Sequence, residues 1–363
     1  MNLLFFIHGL SGGGAERVMA TLMNEFVKQG KKVRVVYTTS LDEPTYVLDE
    51  RIEQVFMQQI CPIKSRSVAA KIFRRLWKYH AIRKLSEEYK PDYVISFLKA
   101  QNNDVLASLL GTGFRVIIGD HTNVDRKYPI ITSFLSKILY PSACGITMLT
   151  IRDYDKWKNK YKHVFYIPNP CSVKQKHIGS PRKKIVLGVG RVKQWKIKGF
   201  DNLIRAWDKI QARHPDWKCQ IAGVYSDESL SSIRKKVGDS AYSKVEFLGF
   251  RSDIYDYMES CEVFCLSSRI EGMPMVLLEA LNLGCACVSY DCVTGPAEMI
   301  ENGKTGFLVK NQDIDELALK LDIIITDTKL RITFRNNAPS SVERYSTENV
   351  LKMWNKMFDD LKN

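Results

Sequence analysis

The sequence contains no apolar run of the roughly 18 residues that a membrane-spanning helix needs. Residues 3–7 are apolar but too short for the core of a signal peptide, and no basic leader precedes them. None of the nine cysteines forms a Cys-x-x-Cys motif, and most lie in apolar runs, so neither a metal site nor a disulfide framework is indicated. A cytoplasmic chain with reduced cysteines is therefore expected.

Acidic residues are few relative to basic ones. The net charge is +14, and residues 1–170 hold ten more basic than acidic residues, against four more in residues 171–363. The N-terminal half is therefore expected to meet an anionic partner: a bilayer surface, a phosphorylated substrate or nucleic acid. No nucleic-acid-binding signature accompanies the charge, so nucleic acid is the least favoured of the three.

Residues 64–85 concentrate this charge, with eight cations and no acid. Three aromatic side chains, Phe73, Trp77 and Tyr79, lie between the cations at helical spacing. This composition is typical of helices that lie at a membrane surface, and a solvated surface helix is the alternative. The cations are Lys64, Arg66, Lys71, Arg74, Arg75, Lys78, Arg83 and Lys84.

The order of apolar runs and glycine-rich turns predicts two α/β domains, as a length of 363 residues allows. Residues 3–7 and 32–37 form apolar strands at the spacing of a βαβ unit, with a glycine-rich turn between them. That turn does not read Gly-x-Gly-x-x-Gly, which disfavours a nicotinamide cofactor. A second unit starts at residue 185, after a basic joint at 174–184. The predicted fold is two doubly wound domains, 1–170 and 171–345, with a terminal helix at 346–363.

The most informative stretch runs from residue 263 to residue 281. It reads apolar strand, Ser/Gly turn and helix, with Pro274 suited to the first helical position and three leucines forming an apolar face. Free N–H groups at such a helix start bind anions. Glu271 and Glu279 bracket that position and can accept hydrogen bonds from hydroxyls, which suits a nucleotide sugar. A loop charge and a solvated helix face are the alternative interpretations of the two glutamates.

Glu271-Gly272-Met273-Pro274, with Glu279 eight residues after Glu271, resembles the signature of family 4 of the retaining glycosyltransferases, whose fold is called GT-B. Further matches extend the resemblance over nearly the whole chain, and it implies two Rossmann-like domains facing a cleft. It is strongest to bacterial enzymes that add N-acetylgalactosamine to undecaprenyl-diphosphate-linked oligosaccharides. The further matches are the loop Gly13-Gly14-Ala15-Glu16-Arg17, His121 at a strand end, and Arg191 followed by Lys198-Gly199.

The resemblance implies a role for each matching residue. Glu271 is expected to contact the transferred sugar and Glu279 the ribose, with His121 beside the sugar. Arg191 and Lys198 are expected to neutralise the donor diphosphate, and Lys196 is the alternate for Lys198. The remaining donor-site residues implied are Gly13, Gly14, Phe250, Arg251, Gly272, Met273, Met275 and Val276. Arg17 is expected at the acceptor, and the charge of the basic helix makes Lys71, Arg74, Arg75 and Lys78 the expected acceptor or membrane contacts.

The implied function is retaining transfer of a hexose or N-acetylhexosamine from a UDP-sugar to a lipid-linked glycan, in bacterial lipopolysaccharide, capsule or glycan synthesis. No Asp-x-Asp pair lies in a phosphate loop, so a metal-independent enzyme is expected. The expected location is the inner face of the cell membrane, against its anionic leaflet. Two alternatives remain: a non-hydrolysing UDP-sugar epimerase of the same fold, and a binding protein for an anionic polymer.

Overall fold

The computed structural model describes residues 1–10, 13–39, 46–57, 67–175 and 181–362. The chain divides into two compact units: residues 1–170 with 347–363 form unit 1, and residues 171–346 form unit 2. Part of the predicted joint at 174–184 lies outside the described residues, as do Lys64 and Arg66. The side chain of Lys71 is also outside the description.

Unit 1 is built on a parallel sheet with the strand order β3-β2-β1-β4-β5-β6-β7. The inner strands are apolar on both faces because helices cover both sides, as a parallel sheet requires. Residues 3–6 of β1, for example, are fully buried. The strands are β1 Asn2–Ile7, β2 Lys32–Tyr37, β3 Glu53–Phe56, β4 Tyr93–Phe97, β5 Val116–Gly119, β6 Gly145–Met148 and β7 Val164–Tyr166.

Helices connect these strands, and a helix from the C-terminal end of the chain packs against the same unit. Trp354 of that last helix meets Phe26 edge to face, and Tyr93 donates a hydrogen bond to the carbonyl of Phe358 at 3.1 Å. The terminal helix therefore completes the apolar core of unit 1. The helices of this unit are α1 Gly14–Lys28, α2 Val68–Tyr89, α3 Lys99–Leu109, α4 Ile130–Leu139, α5 Ile151–Trp157 and α15 Thr347–Asp360.

Unit 2 repeats the plan with a parallel sheet ordered β10-β9-β8-β11-β12-β13. Its strands are β8 Lys183–Val189, β9 Lys218–Ala222, β10 Val245–Gly249, β11 Cys261–Leu266, β12 Ala286–Asp291 and β13 Gly306–Lys310. Its helices are α6 Trp195–Lys198, α7 Phe200–Ile210, α8 Asp227–Val237, α9 Asp239–Tyr242, α10 Ile254–Ser260, α11 Met275–Asn282, α12 Pro296–Met299, α13 Ile314–Thr326 and α14 Thr328–Ser341.

The expectation of two doubly wound α/β units is confirmed. In each sheet the strand order reverses at one place, between β1 and β4 in unit 1 and between β8 and β11 in unit 2. Loops diverge there at the carboxyl ends of the strands, which is where open α/β sheets bind ligands. Across the described ranges, every helix is too short or too polar to cross a bilayer.

Candidate functional site

In unit 2 the loops that follow β8 and β11 are held together at the reversal point. The backbone N–H of Arg269 donates to the carbonyl of Ile197 at 2.8 Å, and the Ser267 hydroxyl donates to the carbonyl of Lys198 at 2.9 Å. Because both bonds join one loop to the other, they bring side chains about 70 residues apart in sequence to a single edge of the sheet.

Gly199 allows this close approach. Its φ is +63°, in the left-handed region that favours glycine, and a Cβ there would lie 1.8 Å from the carbonyl oxygen of Ser267. The residues before it form the one-turn helix α6. Any larger residue at position 199 would push the two loops apart.

Lys198 and Glu271 form an ion pair at this edge. Lys198 Nζ lies 2.7 Å from Glu271 Oε1, and the two side chains are 19% and 11% exposed. The backbone around Glu271 is fixed as well, since the Thr294 hydroxyl donates to its carbonyl at 2.5 Å. The structure thus brings together the cation expected at a diphosphate and the carboxylate expected at a sugar.

Glu279 is buried within α11, at 2% exposure, and Tyr255 donates a hydrogen bond to it at 3.4 Å. This burial rules out the interpretation of Glu279 as a solvated helix face. The helix begins at Met275, so the prediction of Pro274 as the first helical residue was wrong by one position. Pro274 is the N-cap residue with extended backbone, and its carbonyl accepts the first helical bonds.

Arg269 is a structural residue that the sequence did not single out. Its guanidinium makes two hydrogen bonds of 2.8 Å to the carboxylate of Asp201, which is 2% exposed, and one of 2.9 Å to Asn202. It also donates to the carbonyl of Lys196 at 2.6 Å. Arg269 therefore joins the loop after β11 to the start of α7, and it is not available to a ligand. No local sequence signal could have revealed partners so distant along the chain.

The other donor-site candidates of unit 2 lie around this edge. Arg191 lies two residues beyond the end of β8, and its exposed side chain forms no ion pair with the described residues. After β10, Phe250 is exposed and Arg251 makes a two-point ion pair with Asp253. The start of α11 carries Gly272 and Val276, which are partly exposed, and Met273 and Met275, which are buried.

In unit 1 the glycine-rich loop leads into α1. The Glu16 carboxylate accepts the N–H of Gly13 at 2.8 Å, so this donor is satisfied within the chain. Gly14 is exposed, and Arg17 lies half-buried in the first turn of the helix. Ser11 and Gly12 of the same loop lie outside the described residues.

His121 follows the carboxyl end of β5, as predicted, and stacks on Phe97 with ring centroids 3.8 Å apart. Its Nδ1 atom is buried and has no hydrogen-bond partner within the described part of the chain. Burial lowers the pKa of His121 to about 3. The imidazole is therefore neutral at ordinary pH, able to exchange a hydrogen bond but not to supply a positive charge.

Beside His121 lies a buried pair that the sequence interpretation missed. Lys99 Nζ lies 3.5 Å from Asp120 Oδ2, and both side chains are buried. Burial raises the pKa of the Asp120 carboxyl, and the Lys99 charge opposes that shift. The Lys99 ammonium also lies 4.6 Å from the centre of the Tyr128 ring. Lys99 and Asp120 both follow strand ends, so the strand-end rule that selected His121 could have found them.

We expect His121, whose Nδ1 atom is buried, to make the stability of the chain depend on pH. Its folded pKa lies below the ordinary value of 6.5, so between about pH 6.5 and pH 3 the unfolded state binds a proton that the folded state does not. Stability contributed by the neutral imidazole is therefore lost as pH falls below about 6.5. Denaturant unfolding from about pH 7 to about pH 5 should show a smaller loss of stability for His121→Asn than for the unmutated protein.

The control for this measurement is His80→Asn, at an exposed position of α2. An NMR titration that shows the His121 ring protonating near pH 6 to 7 would contradict the expectation, as would equal pH dependence in the protein with and without His121.

The basic helix α2 begins at Val68, capped by Ser67, and continues to Tyr89. Much of its charge is paired: Lys78 lies 2.7 Å from Asp104, Arg83 pairs with Glu87 and Lys84 with Glu88. Residues of α2, α3 and α4 line a cavity of about 460 Å³. Its walls include Arg74, Arg75, Lys78, Asp104, Ile131 and Leu135.

The edge of unit 2 offers an arrangement suited to a ligand that combines anions with hydroxyl groups. Lys198 and Arg191 supply positive charge, the start of α11 supplies backbone N–H groups, and Glu271 and Glu279 accept hydrogen bonds. Among the described residues, no group of three or more His, Cys, Asp or Glu side chains could hold a metal ion.

Two family models cover most of the chain. Residues 12–173 match the model described as Glycosyltransferase Family 4, and residues 173–341 match the model described as Glycosyl transferases group 1. The boundary between the two matches lies close to the boundary between unit 1 and unit 2. The signature residues Glu271 and Glu279 fall in the second match.

Individual proteins that are similar to this chain support the family match. An α-1,4-N-acetyl-D-galactosaminyltransferase of Campylobacter jejuni, named for a PP-undecaprenol-linked oligosaccharide, is 28% identical over 100% of this chain and 99% of its own. The amylovoran biosynthesis glycosyltransferase of Erwinia amylovora is 27% identical over 99% of each chain. Anabaena HepE, solved with UDP and glucose, superposes with a TM-score of 0.78 at 16% identity, covering 100% of this chain and 99% of that one. The expected GT-B fold is confirmed.

Proposed function

Because the chain belongs to the family 4 glycosyltransferases, we propose that it transfers a hexose or N-acetylhexosamine from a UDP-sugar to a lipid-linked glycan, with retention of anomeric configuration. The C. jejuni relative, whose named acceptor is linked to undecaprenol, supports the acceptor class. HepE, with its bound UDP, supports the nucleotide. The Erwinia relative supports a place in bacterial polysaccharide synthesis. The family assignment favours transfer over the epimerase alternative.

The observation that carries this proposal is the ion pair between Lys198 and Glu271 at the reversal point of unit 2. A donor diphosphate that enters beside the start of α11 competes with Glu271 for the Lys198 ammonium. When Lys198 turns to the phosphate, the Glu271 carboxylate becomes free to accept hydrogen bonds from the sugar hydroxyls. Binding of the diphosphate thus prepares the group that orients the sugar.

The remaining proposed donor contacts are those that the family resemblance implies. Arg191 at the end of β8 and the N–H groups at the start of α11 stabilise the leaving diphosphate, which is an electrostatic role. Glu279 binds the ribose. Phe250 and Arg251 line the base site, largely through their backbone, and Gly272, Met273, Met275 and Val276 form the phosphate turn and the helix start.

Unit 1 supplies the groups for the sugar and the acceptor. His121, neutral and stacked on Phe97, contacts the transferred sugar as its anomeric carbon becomes cationic. Gly13, Gly14 and Arg17 are the proposed contacts of unit 1 with the donor diphosphate and the acceptor. Arg74, Arg75 and Lys78 on α2 are the proposed contacts with the diphosphate of a lipid-linked acceptor or with the anionic inner leaflet of the cell membrane. Lys71 belongs to the same proposal, but its side chain lies outside the described residues. The enzyme is thus proposed to work on the cytoplasmic face of that membrane.

We also propose that Arg191 and Lys198 replace a divalent metal. The test is a screen of UDP-hexoses and UDP-N-acetylhexosamines with the purified enzyme and a polyprenyl-diphosphate-linked glycan, with and without EDTA. The expected result is release of UDP from at least one donor, an unchanged rate in EDTA, and a product with the anomeric configuration of the donor. Loss of activity in EDTA with rescue by magnesium or manganese would contradict the metal assignment.

Two other outcomes of the screen would contradict the reaction itself. A product whose anomeric configuration is inverted relative to the donor would contradict the retaining mechanism. Conversion of the donor into its epimer without any acceptor would favour the epimerase.

A further inference from the structure

The helix α4 is more apolar on its exposed side than on its buried side. Ile130, Ile131, Phe134 and Ile138 are 87%, 71%, 60% and 57% exposed. At 100° per residue these four positions span about 100° of the helix surface, so they form one continuous apolar stripe. A surface helix of a water-soluble domain ordinarily has the opposite arrangement.

The buried side of α4 is held by polar contacts and by Leu139, which belongs to the apolar core of unit 1. Ser136 is 6% exposed and donates to Asn103 Oδ1 at 3.0 Å, and Asn103 Nδ2 donates to the carbonyl of Thr132 at 3.0 Å. These bonds fix the rotation of α4 about its axis. The apolar stripe is therefore directed outward by the interior of unit 1, and it is not a consequence of loose packing.

Positive charge surrounds this stripe. Residues 126–139 contain Arg126, Lys127 and Lys137 and no acid. On the other side of the cavity that α4 shares with α2 lie Arg74 and Arg75, and α2 also exposes Phe73 and Leu76. By comparison, Leu319 of α13 and Ile332 of α14 are exposed apolar side chains that lie on different helices. Single residues of that kind are ordinary, whereas a contiguous patch marks an interaction surface.

We infer that α4 is an interfacial helix, which lies in the plane of an anionic bilayer with its apolar stripe among the lipid chains. A ten-residue helix is about 15 Å long, too short to span a membrane but long enough to lie in its interface. The cations beside the stripe then contact lipid phosphates. A second copy of the chain fits less well, because a symmetric contact through this patch would bring like charges together.

This membrane attachment rests on the proposed function, in which the acceptor is lipid-linked. It depends on the apolar stripe of α4 and not on the charge of α2 alone. Charge attraction weakens with salt, whereas insertion of apolar side chains persists. The distinction between the two is therefore measurable.

The test is flotation of the full chain with vesicles of phosphatidylcholine, with and without phosphatidylglycerol, at low and high salt. The variant Ile130→Ser/Phe134→Ser removes apolar area without changing charge, and Leu319→Ser/Ile332→Ser in unit 2 is the matched control. We expect the first variant to bind anionic vesicles at least about tenfold more weakly than the unmutated chain and to lose the salt-resistant part of binding. The control should bind like the unmutated chain, and unfolding midpoints should agree for all three.

Equal flotation of the two variants at both salt concentrations would overturn the inference. So would a concentration-dependent dimer that Ile130→Ser/Phe134→Ser dissociates while vesicle binding is unchanged, since the stripe would then join two copies. Neither donor nor acceptor is present in this assay, and UDP release from the donor alone should be unaffected by the variant. A negative result in the vesicle assay would therefore leave the proposed transfer reaction untouched.

Discussion

Replacing Lys198 with methionine should lower kcat/KM for sugar transfer by about 10²–10³-fold, the range found when one preorganised group that stabilises developing charge is removed. Methionine keeps most of the length of the side chain and removes the ammonium, which lies 2.7 Å from Glu271. Two effects combine in the variant. The leaving diphosphate loses a cation, and Glu271 loses the partner that holds its carboxylate at the edge of the sheet.

Lys196→Met is the matched control because Lys196 lies in the same one-turn helix and its side chain is exposed. It should retain nearly full activity. Steady-state kinetics, with UDP affinity from calorimetry, would separate loss of donor binding from loss of turnover. If Lys196→Met is the inactive variant and Lys198→Met is active, the assignment of these two lysines must be exchanged.

Replacing Arg269 with methionine should destabilise unit 2 by about 3–5 kcal/mol, the usual cost of removing one partner of a buried ion pair. The Asp201 carboxylate is 2% exposed and accepts two hydrogen bonds from this guanidinium. Without Arg269, a charge remains buried with its main partner gone. The carbonyl of Lys196 loses a donor as well, so the loop that carries Lys198 should also lose order.

Arg251→Met provides the comparison for this prediction. Arg251 makes a similar two-point pair with Asp253, but the two side chains are 37% and 42% exposed. Removal of such a surface pair should leave the stability of the chain nearly unchanged, because solvent screens exposed ion pairs. Denaturant unfolding of Arg269→Met and Arg251→Met would measure the two losses of stability. Equal stability of the two would mean that Arg269 is not a structural residue, and it would then be a candidate for the diphosphate.

Local sequence determined the strands, the turns and the position of most site residues. Apolar runs bounded by glycine and serine predict buried parallel strands, and the strand-turn-helix pattern around Glu271 is contained within 20 residues. The start of α11 was misplaced by one residue because a proline suits both an N-cap with extended backbone and a first helical position. These features depend on neighbours in sequence, and for that reason the sequence could predict them.

The tertiary structure alone decided which of these residues meet. Lys198 pairs with Glu271 across 73 positions, and Arg269 with Asp201 across 68, because β8 and β11 are adjacent in the sheet. The α4 segment carries apolar residues on several sides, so its periodicity does not indicate which side is buried. The bonds of Ser136 and Asn103, together with the burial of Leu139, decide that, and they direct the isoleucines outward. Strand adjacency and helix rotation are set by contacts between distant segments, and these are absent from any local pattern of residues.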